Sequence, residues 1–500
     1  MASIFPFLGT AALATVLLKL ELEKNGNKRE CKVPASKHDV RALREKHFSK
    51  SVSVSYSNSE PLMFVKGDGS RLIDESGISY LDTRNNVSHC GHSNPRVATA
   101  VQQQVMQFNS NTRYLHPNVA HLAQRLSSLL PDSLEIVFFC NSGSEANDLA
   151  LRLARAYSNS PNTIVVDGAY HGHTLAVLEC SPYKYEYSKE FDLKAPKDSV
   201  DFKSPGKHIW KVPAPDTYRG PHRDVKDAGI KYAAKVAEAC DFYQYTCGES
   251  VGAFIIEGGI GVGGAILPPP NYLPRSVKAV RNAGGVYIAD EVQTGFGRYG
   301  SSFWAFQHTW TEDEDPVVPD IVTVGKPFGN GMPLAAVVTT RKIASAFEKM
   351  GVDYFNTFGG NPVCAAAGLA VLDVIESDNL QQRAHEVGGY MMTRFVELQT
   401  RLDIIGDVRG SGLFIGIELV RDRKTLEAAS TETSFISTTL KKKYHILTSI
   451  DGLLENVLIV KPPMVFSKAD ADYFVECFEK VVLEDLAKIG DLSFLGRTPT

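Results

Sequence analysis

Three short runs of polar residues follow apolar stretches of the chain, and together they could bind and activate a small charged molecule. The first run contains Ser142, Gly143 and Ser144, between an apolar stretch and a helical pattern. Small hydroxyl residues and unpaired amides at the start of a helix form a cradle for phosphate. A serine in this position is also a common helix cap, so on local evidence both interpretations remain open.

The second run begins with an acid, Asp290, at the end of an apolar stretch. A buried carboxylate is costly to ionise unless it has a partner. The nitrogen of a protonated pyridine ring would be such a partner, and the carboxylate would keep that ring ready to accept electrons. The alternative is a carboxylate that caps a helix.

The third run begins with Lys326, which emerges from an apolar stretch and precedes Gly329 and Gly331. Apolar surroundings lower the pKa of a lysine, which an amine needs in order to form a Schiff base. A lysine whose stem covers apolar surface while its amine reaches water would look the same locally. In combination, the phosphate cradle, the ring-nitrogen acid and the lysine predict a pyridoxal phosphate (PLP) site.

The elements that must position these runs alternate between apolar strands and helices. Five strands are predicted, at 133–140, 162–168, 252–258, 284–290 and 320–326. Helical patterns lie between them, for example at 145–158 and 274–284. This alternation predicts an α/β fold with a mostly parallel sheet covered on both faces, and ligands bind at the carboxyl ends of such strands.

The ends of the chain predict a second, smaller α+β domain. A polar helix is expected at 37–50, a meander of short strands at 62–82, a strand pattern at 409–420 and a closing helix at 468–488. Residues 184–211 are polar and rich in lysine, which favours a surface loop. The predicted division is an apolar segment at 1–28, small-domain residues 29–87, a large domain at 88–355 and further small-domain residues 356–490.

Length and composition limit the classes of protein that this chain can belong to. It has 500 residues, 43% hydrophobic and 22% charged, and a net charge of −4, so nothing global indicates a nucleic-acid partner. The eight cysteines are scattered without a CxxC pair, which fits a reducing compartment. Residues 4–20 are nearly all apolar and could be a targeting segment or a short membrane anchor.

Two other sets of residues in the sequence resemble binding motifs of other kinds. Gly259, Gly261 and Gly264 satisfy the dinucleotide-binding glycine pattern, but a proline-rich stretch follows where a helix should begin. The histidine pairs His171/His173 and His89/His92 have no carboxylate or cysteine partner at metal spacing. No metal is therefore expected, and ring contact or core packing is the preferred reading of these histidines.

Over residues 40–490 the chain resembles the class III aminotransferases, which have the type I PLP-dependent transferase fold. The resemblance is carried by six motifs: NSGSEAND (141–148), AYHGH (169–173), DEVQTGFGR (290–298), GKPFGNG (325–331), NTFGGNP (356–362) and DVRGSGL (407–413). Four further motifs resemble the phospho-lyase branch, also described as alanine–glyoxylate aminotransferase 2-like: NNVSH (85–89), NTRYLH (111–116), PDTYRG (215–220) and KPPM (461–464).

The resemblance implies a set of roles around the cofactor. Ser142, Gly143 and Ser144 would hold its phosphate. Around the ring, Tyr170 would stack on one face, His171 would border it, Glu257 would line the site, Asp290 would pair with the ring nitrogen and Gln293 would bond the ring hydroxyl. Lys326 would hold the cofactor and act as general base, and Thr357 would reach the phosphate of the neighbouring subunit's cofactor. The last role implies a homodimer or homotetramer.

Substrate residues are also implied. Arg409 matches the carboxylate-binding arginine of the transaminases, and Arg113, Arg219 and Arg409 are the candidate cations for a leaving phosphate. The chain departs from the branch pattern near the substrate pocket: glycines follow Glu257 where a serine is usual, Met332 replaces a histidine, and Arg84 occupies a usually apolar position.

These observations support a first hypothesis and two alternatives. The first is a phospho-lyase that eliminates phosphate from a phosphorylated amino alcohol, ethanolamine phosphate or phosphohydroxylysine, giving an aldehyde, ammonia and phosphate. The alternative is a transaminase of the alanine–glyoxylate or ω-amino-acid type. A catalytically silent PLP-binding protein is the second alternative, although the presence of Lys326, Asp290 and Gln293 argues against it. The resemblance implies a mitochondrial location; a membrane-anchored or cytoplasmic protein is the alternative.

Overall fold

The computed structural model describes residues 36–56, 60–185, 206–308 and 317–488 of the chain. They fall into two compact units, divided between Met63 and Phe64. In the first unit, α1 (Lys37–His47) is the expected polar helix, and the Ser36 hydroxyl caps it by accepting a hydrogen bond from the Asp39 amide. The apolar segment 4–20 lies outside the described residues. Within the described ranges, no helix has both the length and the apolar character needed to cross a bilayer.

The described part of the second unit contains twelve further α-helices. They are α2 (Pro95–Gln107), α3 (Pro117–Ser128), α4 (Gly143–Ser158), α5 (Leu175–Glu179), α6 (Pro182–Tyr185), α7 (Ala228–Asp241), α8 (Tyr272–Asn282), α9 (Arg341–Glu348), α10 (Pro362–Ser377), α11 (Leu380–Gln399), α12 (Ser430–Tyr444) and α13 (Lys468–Lys480). The predicted helices at 145–158 and 274–284 correspond to α4 and α8. The closing helix continues beyond Lys480 as a π-turn and a 3₁₀-turn to Lys488.

A seven-stranded sheet forms the centre of this unit. Its strands are β4 (Ile136–Cys140), β5 (Thr163–Val166), β6 (Ile209–Val212), β7 (Ala253–Glu257), β8 (Val286–Asp290), β9 (Ile321–Val324) and β10 (Ala335–Thr339). Their order across the sheet is β4-β10-β9-β8-β7-β5-β6. Only β10 runs opposite to its neighbours, so the prediction of a mostly parallel sheet is confirmed.

Two smaller sheets come from the ends of the chain. One contains β1 (Phe64–Asp68), β2 (Arg71–Asp74) and β3 (Ser79–Asp82), joined by β14 (Ile446–Leu447), and its first three strands are the expected meander. The other contains β11 (Ile405–Ser411), β12 (Phe414–Asp422), β15 (Ser449–Asp451) and β16 (Val457–Val460), with β13 (Glu427–Ala428) paired to β12. The single strand pattern at 409–420 is therefore two strands, β11 and β12.

The central strands are apolar because both faces of the sheet are covered. Along β7 and β8, Phe254 and Tyr287 belong to one core cluster, and the next residues, Ile255 and Ile288, belong to another. Alternate side chains of a strand point to opposite faces, so a strand buried on both faces reads as a continuous apolar run. With helices packed on both sides, only the strand ends remain for polar groups.

Two expectations differ from the structure or remain open. The predicted surface loop at 184–211 is wrong at its end, because β6 begins at Ile209 and forms the edge of the central sheet; residues 186–205 of that loop lie outside the described residues. Ile209 and Val212 of β6 belong to two different core clusters, and this burial explains why a strand forms there. The domain boundaries at 28, 87 and 355 stay predictions.

Candidate active site

The carboxyl ends of four central strands meet at one edge of the sheet. Glu257, the last residue of β7, lies opposite Asp290 at the end of β8, and Asp290 lies opposite Thr323 of β9. On the far side of the antiparallel β10, β4 ends at Cys140. Four chain segments that are far apart in sequence are thereby brought to the same edge of the sheet.

The predicted phosphate cradle is the start of α4. Ser142 caps the helix, its hydroxyl accepting a hydrogen bond from the Glu145 amide at 3.2 Å. The hydroxyl of Ser144 accepts from the amide of His173 at 3.0 Å. A Cβ on Gly172 would lie 2.6 Å from that hydroxyl oxygen, so the loop after β5 needs glycine to approach the helix start this closely. The cap interpretation is confirmed, and it leaves the helix N-terminus facing the cavity.

Asp290 is buried and is held by three donors. Its Oδ2 lies 2.8 Å from both the Asn147 side-chain nitrogen and the ring Nδ1 of His171, and its Oδ1 accepts from the Val292 amide at 3.0 Å. Asn147 is fixed in turn, because its Oδ1 accepts from the Thr323 hydroxyl at 2.6 Å. The carboxylate is therefore oriented by hydrogen bonds, and among the described residues no lysine or arginine forms a salt bridge with it, so its charge is available to a ligand.

Lys326 follows β9 directly and begins a short 3₁₀-turn, Lys326–Gly329. Its φ of 23° lies in the left-handed region, an uncommon conformation for a residue other than glycine. Burial lowers the pKa of its amine from 10.5 to about 8, although the charge of Asp290 acts in the opposite direction. A lysine with this pKa is far better suited to attack an aldehyde near neutral pH than an ordinary one.

Tyr170, Glu257 and Gln293 complete the predicted cofactor residues on this edge. Glu257 accepts from the Tyr170 amide at 3.1 Å and from the Gly261 amide at 2.9 Å, and burial raises the pKa of its carboxyl group. The Gln293 side-chain oxygen accepts from Asn86 at 2.8 Å and from Lys461 at 3.0 Å. Among the described residues no acceptor is bonded to its amide nitrogen, as the expected bond to a ring hydroxyl requires.

These side chains line one cavity of about 300 Å³. Its lining includes the predicted cofactor residues Ser142, Gly143, Ser144, Tyr170, His171, Glu257, Asp290, Gln293 and Lys326. Two polar atoms at the cavity, His171 Nε2 and Asn141 Oδ1, are buried without a hydrogen-bond partner in the described part of the chain. A helix N-terminus, an oriented carboxylate, a lysine of lowered pKa and unpaired polar atoms in one cavity fit PLP.

Two predicted residues lie outside this cavity. Thr357 is exposed, in the loop that precedes α10, where a bond to the cofactor of another subunit remains a prediction. Arg113 is exposed as well, and its guanidinium group stacks 4.2 Å from the centre of the Phe355 ring. Neither residue is among those that line the cavity.

The other two candidate cations share a buried carboxylate. Arg409 Nη1 lies 2.7 Å from Glu418 and 2.8 Å from Asp407, and Arg219 pairs with the other oxygen of Glu418. Burial opposes the charge of Arg409, but Glu418 and Asp407 outweigh it and raise the pKa of Arg409. Arg219 and Arg409 do not line the cavity either, and their role as substrate ligands stays a prediction.

Sequence reasoning missed three residues that contact predicted site residues. Asn147 orients Asp290, and Asn86 and Lys461 both bond Gln293. A signal was present for each, since all three lie in motifs quoted for the family resemblance, at 141–148, 85–89 and 461–464. The motifs gave the residues no role, because their contacts depend on packing between distant segments.

Comparison with known proteins gives a consistent result. The family model described as aminotransferase class III matches residues 52–482. The chain is 44% identical over 460 residues to an alanine–glyoxylate aminotransferase 2-like protein of Drosophila melanogaster, covering 90% of this chain and 89% of the relative. It is 37% identical over 458 residues to the ethanolamine-phosphate phospho-lyase homolog 1 of Caenorhabditis elegans, covering 89% and 94%.

Among solved structures, a phospholyase from Arthrobacter in complex with phosphoethanolamine superposes on this chain with a TM-score of 0.80. The two sequences are 35% identical, and the superposition covers 90% of this chain and all of the other. The resemblance inferred from the motifs and the α/β fold of the central sheet are both confirmed by these matches.

Proposed function

Because this chain belongs to the class III aminotransferase family and is a PLP-dependent enzyme, we propose that it is a phospho-lyase. Its substrate is a primary amine with a phosphate ester on the neighbouring carbon, such as ethanolamine phosphate or phosphohydroxylysine. Water and this substrate give an aldehyde, ammonia and inorganic phosphate. The similarity to a phospholyase that holds phosphoethanolamine supports this choice.

The observation that carries the choice between lyase and transaminase is the pairing of Arg409. A transaminase must bind the carboxylate of a 2-oxo acid, and the family resemblance assigns that task to Arg409. In this chain Glu418 and Asp407 already meet the charge of Arg409. A second substrate with a carboxylate would have to compete with these two anions, whereas phosphate elimination needs no 2-oxo acid.

When bound, PLP supplies an electron sink for the carbon that bears the substrate nitrogen. The N-terminus of α4 with Ser142 and Ser144 would hold the cofactor phosphate, and Tyr170 would cover the ring. Asp290, oriented by Asn147, would keep the ring nitrogen protonated. Lys326 would hold the cofactor covalently and, once freed by the substrate amine, would be placed to take the proton from the carbon that bears the substrate nitrogen. The phosphate would leave from the next carbon with the electron pair of the C–O bond, and water would then release the aldehyde and ammonia.

The transaminase remains the second candidate, favoured by the name of the Drosophila relative. Incubation of the purified holoenzyme with phosphoethanolamine, and separately with phosphohydroxylysine, tests the two. Equal release of phosphate and ammonia without any 2-oxo acid is expected. Strict dependence on pyruvate or glyoxylate would reject the lyase in favour of the transaminase. A cofactor absorbance that no amine changes would indicate the silent alternative.

Three further predictions are part of this proposal. The protein is a homodimer or a homotetramer in which Thr357 reaches the cofactor of the neighbouring subunit. The protein is mitochondrial, as the family resemblance implies. The large domain is 88–355, with the small domain built from 29–87 and 356–490.

A further inference from the structure

The short turn that carries Lys326 has an uncommon backbone. The φ of Lys326 is 23°, and Asn330, which ends the turn, has a φ of 46°. A left-handed conformation costs free energy for a lysine and persists only where the surrounding structure holds it. The Phe328 amide donates to the Gly325 carbonyl at 2.9 Å, and the Asn330 amide donates to the Pro327 carbonyl at 3.2 Å. These bonds lie within the turn, so they do not fix it against the rest of the molecule.

The side chain of Asn330 joins the turn to a distant segment of the chain. Its Oδ1 accepts a hydrogen bond from the Cys90 amide at 2.8 Å, and its Nδ2 donates to the Gly91 carbonyl at 3.1 Å. Cys90 and Gly91 lie 240 and 239 residues away in sequence. An amide side chain has one acceptor and one donor end, and both ends are bonded to backbone groups here. The lysine turn is therefore attached to a second segment at its last residue.

The segment that receives these bonds is itself fixed on both sides. The ring Nε2 of the buried His89 lies 2.8 Å from the Phe296 carbonyl, and the His89 carbonyl accepts from the Met464 amide at 2.8 Å. On the other side, His92 exchanges two backbone hydrogen bonds with Gly69, at 2.8 and 3.2 Å. A segment held from three directions can keep the lysine turn in place.

We propose that Asn330 is a positioning residue, which keeps Lys326 in its left-handed conformation and thereby keeps the amine of Lys326 in the cavity that Asp290 also lines. This inference rests on the role that the proposed function gives to Lys326. In that function the lysine is freed from the cofactor in each turnover and must return to it. A turn that relaxed while the lysine was free would lose both the base and the point of attachment. Asn330 does not line the cavity, so it acts through the backbone.

The rate of PLP attachment to the apoprotein, measured across pH by the absorbance of the bound cofactor, tests this role. Asn330→Gly removes both side-chain bonds, while glycine adopts the left-handed conformation without strain. Since burial lowers the pKa of Lys326, a lysine that relaxes out of the cavity should shift the midpoint to higher pH. The rate at the high-pH plateau should fall about 5- to 10-fold, as expected for the loss of one to two hydrogen bonds.

Asn159→Gly is the matched control. Asn159 is also left-handed, with a φ of 54°, but it lies exposed at the end of α4 and does not line the cavity. Its substitution should leave the midpoint and the plateau rate unchanged.

Asn330→Asp is the conservative variant, and it keeps the test open if Asn330→Gly does not fold. It retains an acceptor for the Cys90 amide and loses the donor to the Gly91 carbonyl. Its plateau rate should therefore lie between those of the wild type and Asn330→Gly. The plateau is the proper comparison, because Lys326 is neutral there and the charge of the new carboxylate does not change its protonation.

A role in stability alone would lower the melting temperature of Asn330→Gly and leave its midpoint and plateau rate at the wild-type values. That result, or equal changes in Asn159→Gly, would overturn the inference. If borohydride reduction of the wild type leaves no pyridoxyl group on Lys326, the role of Lys326 and the inference fail together. If the wild type attaches PLP at Lys326 but releases no phosphate from phosphoethanolamine, the phospho-lyase function fails, and the expected shift in Asn330→Gly still supports the positioning role.

Discussion

Two buried carboxylates in this protein are surrounded in opposite ways. Asp290, at the end of β8, accepts from Asn147, His171 and the Val292 amide. Glu418, in β12, is flanked by the guanidinium groups of two arginines. The two arginines neutralise the charge of Glu418. The donors around Asp290 orient its carboxylate by hydrogen bonds, so its negative charge can still pair with a ligand. We therefore interpret Glu418 as an acid that stabilises the fold and Asp290 as an acid that is available to the cofactor.

The same contrast extends to the cations beside these acids. Burial lowers the pKa of Lys326 to about 8, whereas the carboxylates next to Arg409 raise its pKa against the effect of burial. One cation is kept close to losing its proton and the other is fixed in its charged form. A reactive amine needs the first condition, and a structural ion pair needs the second.

Removing the charge of Asp290 should have the largest effect. Asp290→Asn keeps the size of the side chain but cannot stabilise a protonated ring nitrogen. We expect kcat to fall by about 10²- to 10³-fold, as for other preorganised electrostatic groups. Glu291→Gln is the matched control, since Glu291 is the adjacent buried acid and bonds Thr294 and the Phe306 amide instead. Equal losses in the two variants would contradict the role given to Asp290.

Removing the charge of Glu418 should act on stability instead. Glu418→Gln leaves the partly buried Arg219 without its carboxylate partner and Arg409 with Asp407 alone, and we expect a loss of about 3 kcal/mol in the free energy of unfolding. Glu432→Gln is the comparison, because its partner Arg421 is 38% exposed and the loss should stay below about 1 kcal/mol. Denaturant unfolding of the holoenzymes measures both. If the Glu418→Gln protein were as stable as the wild type but had little activity, Glu418 would belong to the active site and would not serve stability.

The attachment of the cofactor to the apoprotein should depend on pH through Lys326. Only the neutral amine reacts, so the rate should rise with pH and reach half its maximum near pH 8, against about 10.4 for a free lysine side chain. In Asp290→Asn the midpoint should move lower, because the charge of Asp290 raises this pKa. Apoprotein stability should also rise between about pH 8 and 10.5, where the unfolded lysine binds a proton that the folded one does not. A midpoint above 10 would show that Lys326 is not buried as described.

The polar residues at strand ends could be predicted because the apolar pattern of a strand and the residue that follows it are both visible in a short stretch of sequence. Ser142, Asp290 and Lys326 each follow an apolar run, and the carboxyl ends of parallel strands share one edge. The direction of β10 could not be predicted, since Ala335–Thr339 reads like any buried strand and direction depends on connections to distant residues.

Long-range partners were also beyond the reach of the sequence. Asn147 and Asp290 are 143 residues apart, and Lys461 and Gln293 are 168 residues apart. Glu418 lies inside an apolar strand, and nothing in that pattern indicates that it pairs with Arg219 and Arg409. Sequence patterns thus singled out the acids and amines that are candidate site residues, whereas the partners of these residues are visible only in the packed structure.

The smallest expected effect concerns the hydrogen bond between Thr323 and Asn147, which helps to orient Asp290 indirectly. Thr323→Val removes the hydroxyl that donates to Asn147 at 2.6 Å, and Asn147 then loses one of the bonds that aim it at Asp290. Loss of one such bond is worth about 1 kcal/mol, so the Kd for PLP should rise by about 2- to 10-fold. Thr339→Val is the matched control, because Thr339 is equally buried in the neighbouring strand but donates to the Asp320 carbonyl at the opposite edge. Equilibrium titration of the apoproteins with PLP measures the difference, and an equal change in both variants would mean that Thr323 acts only through stability.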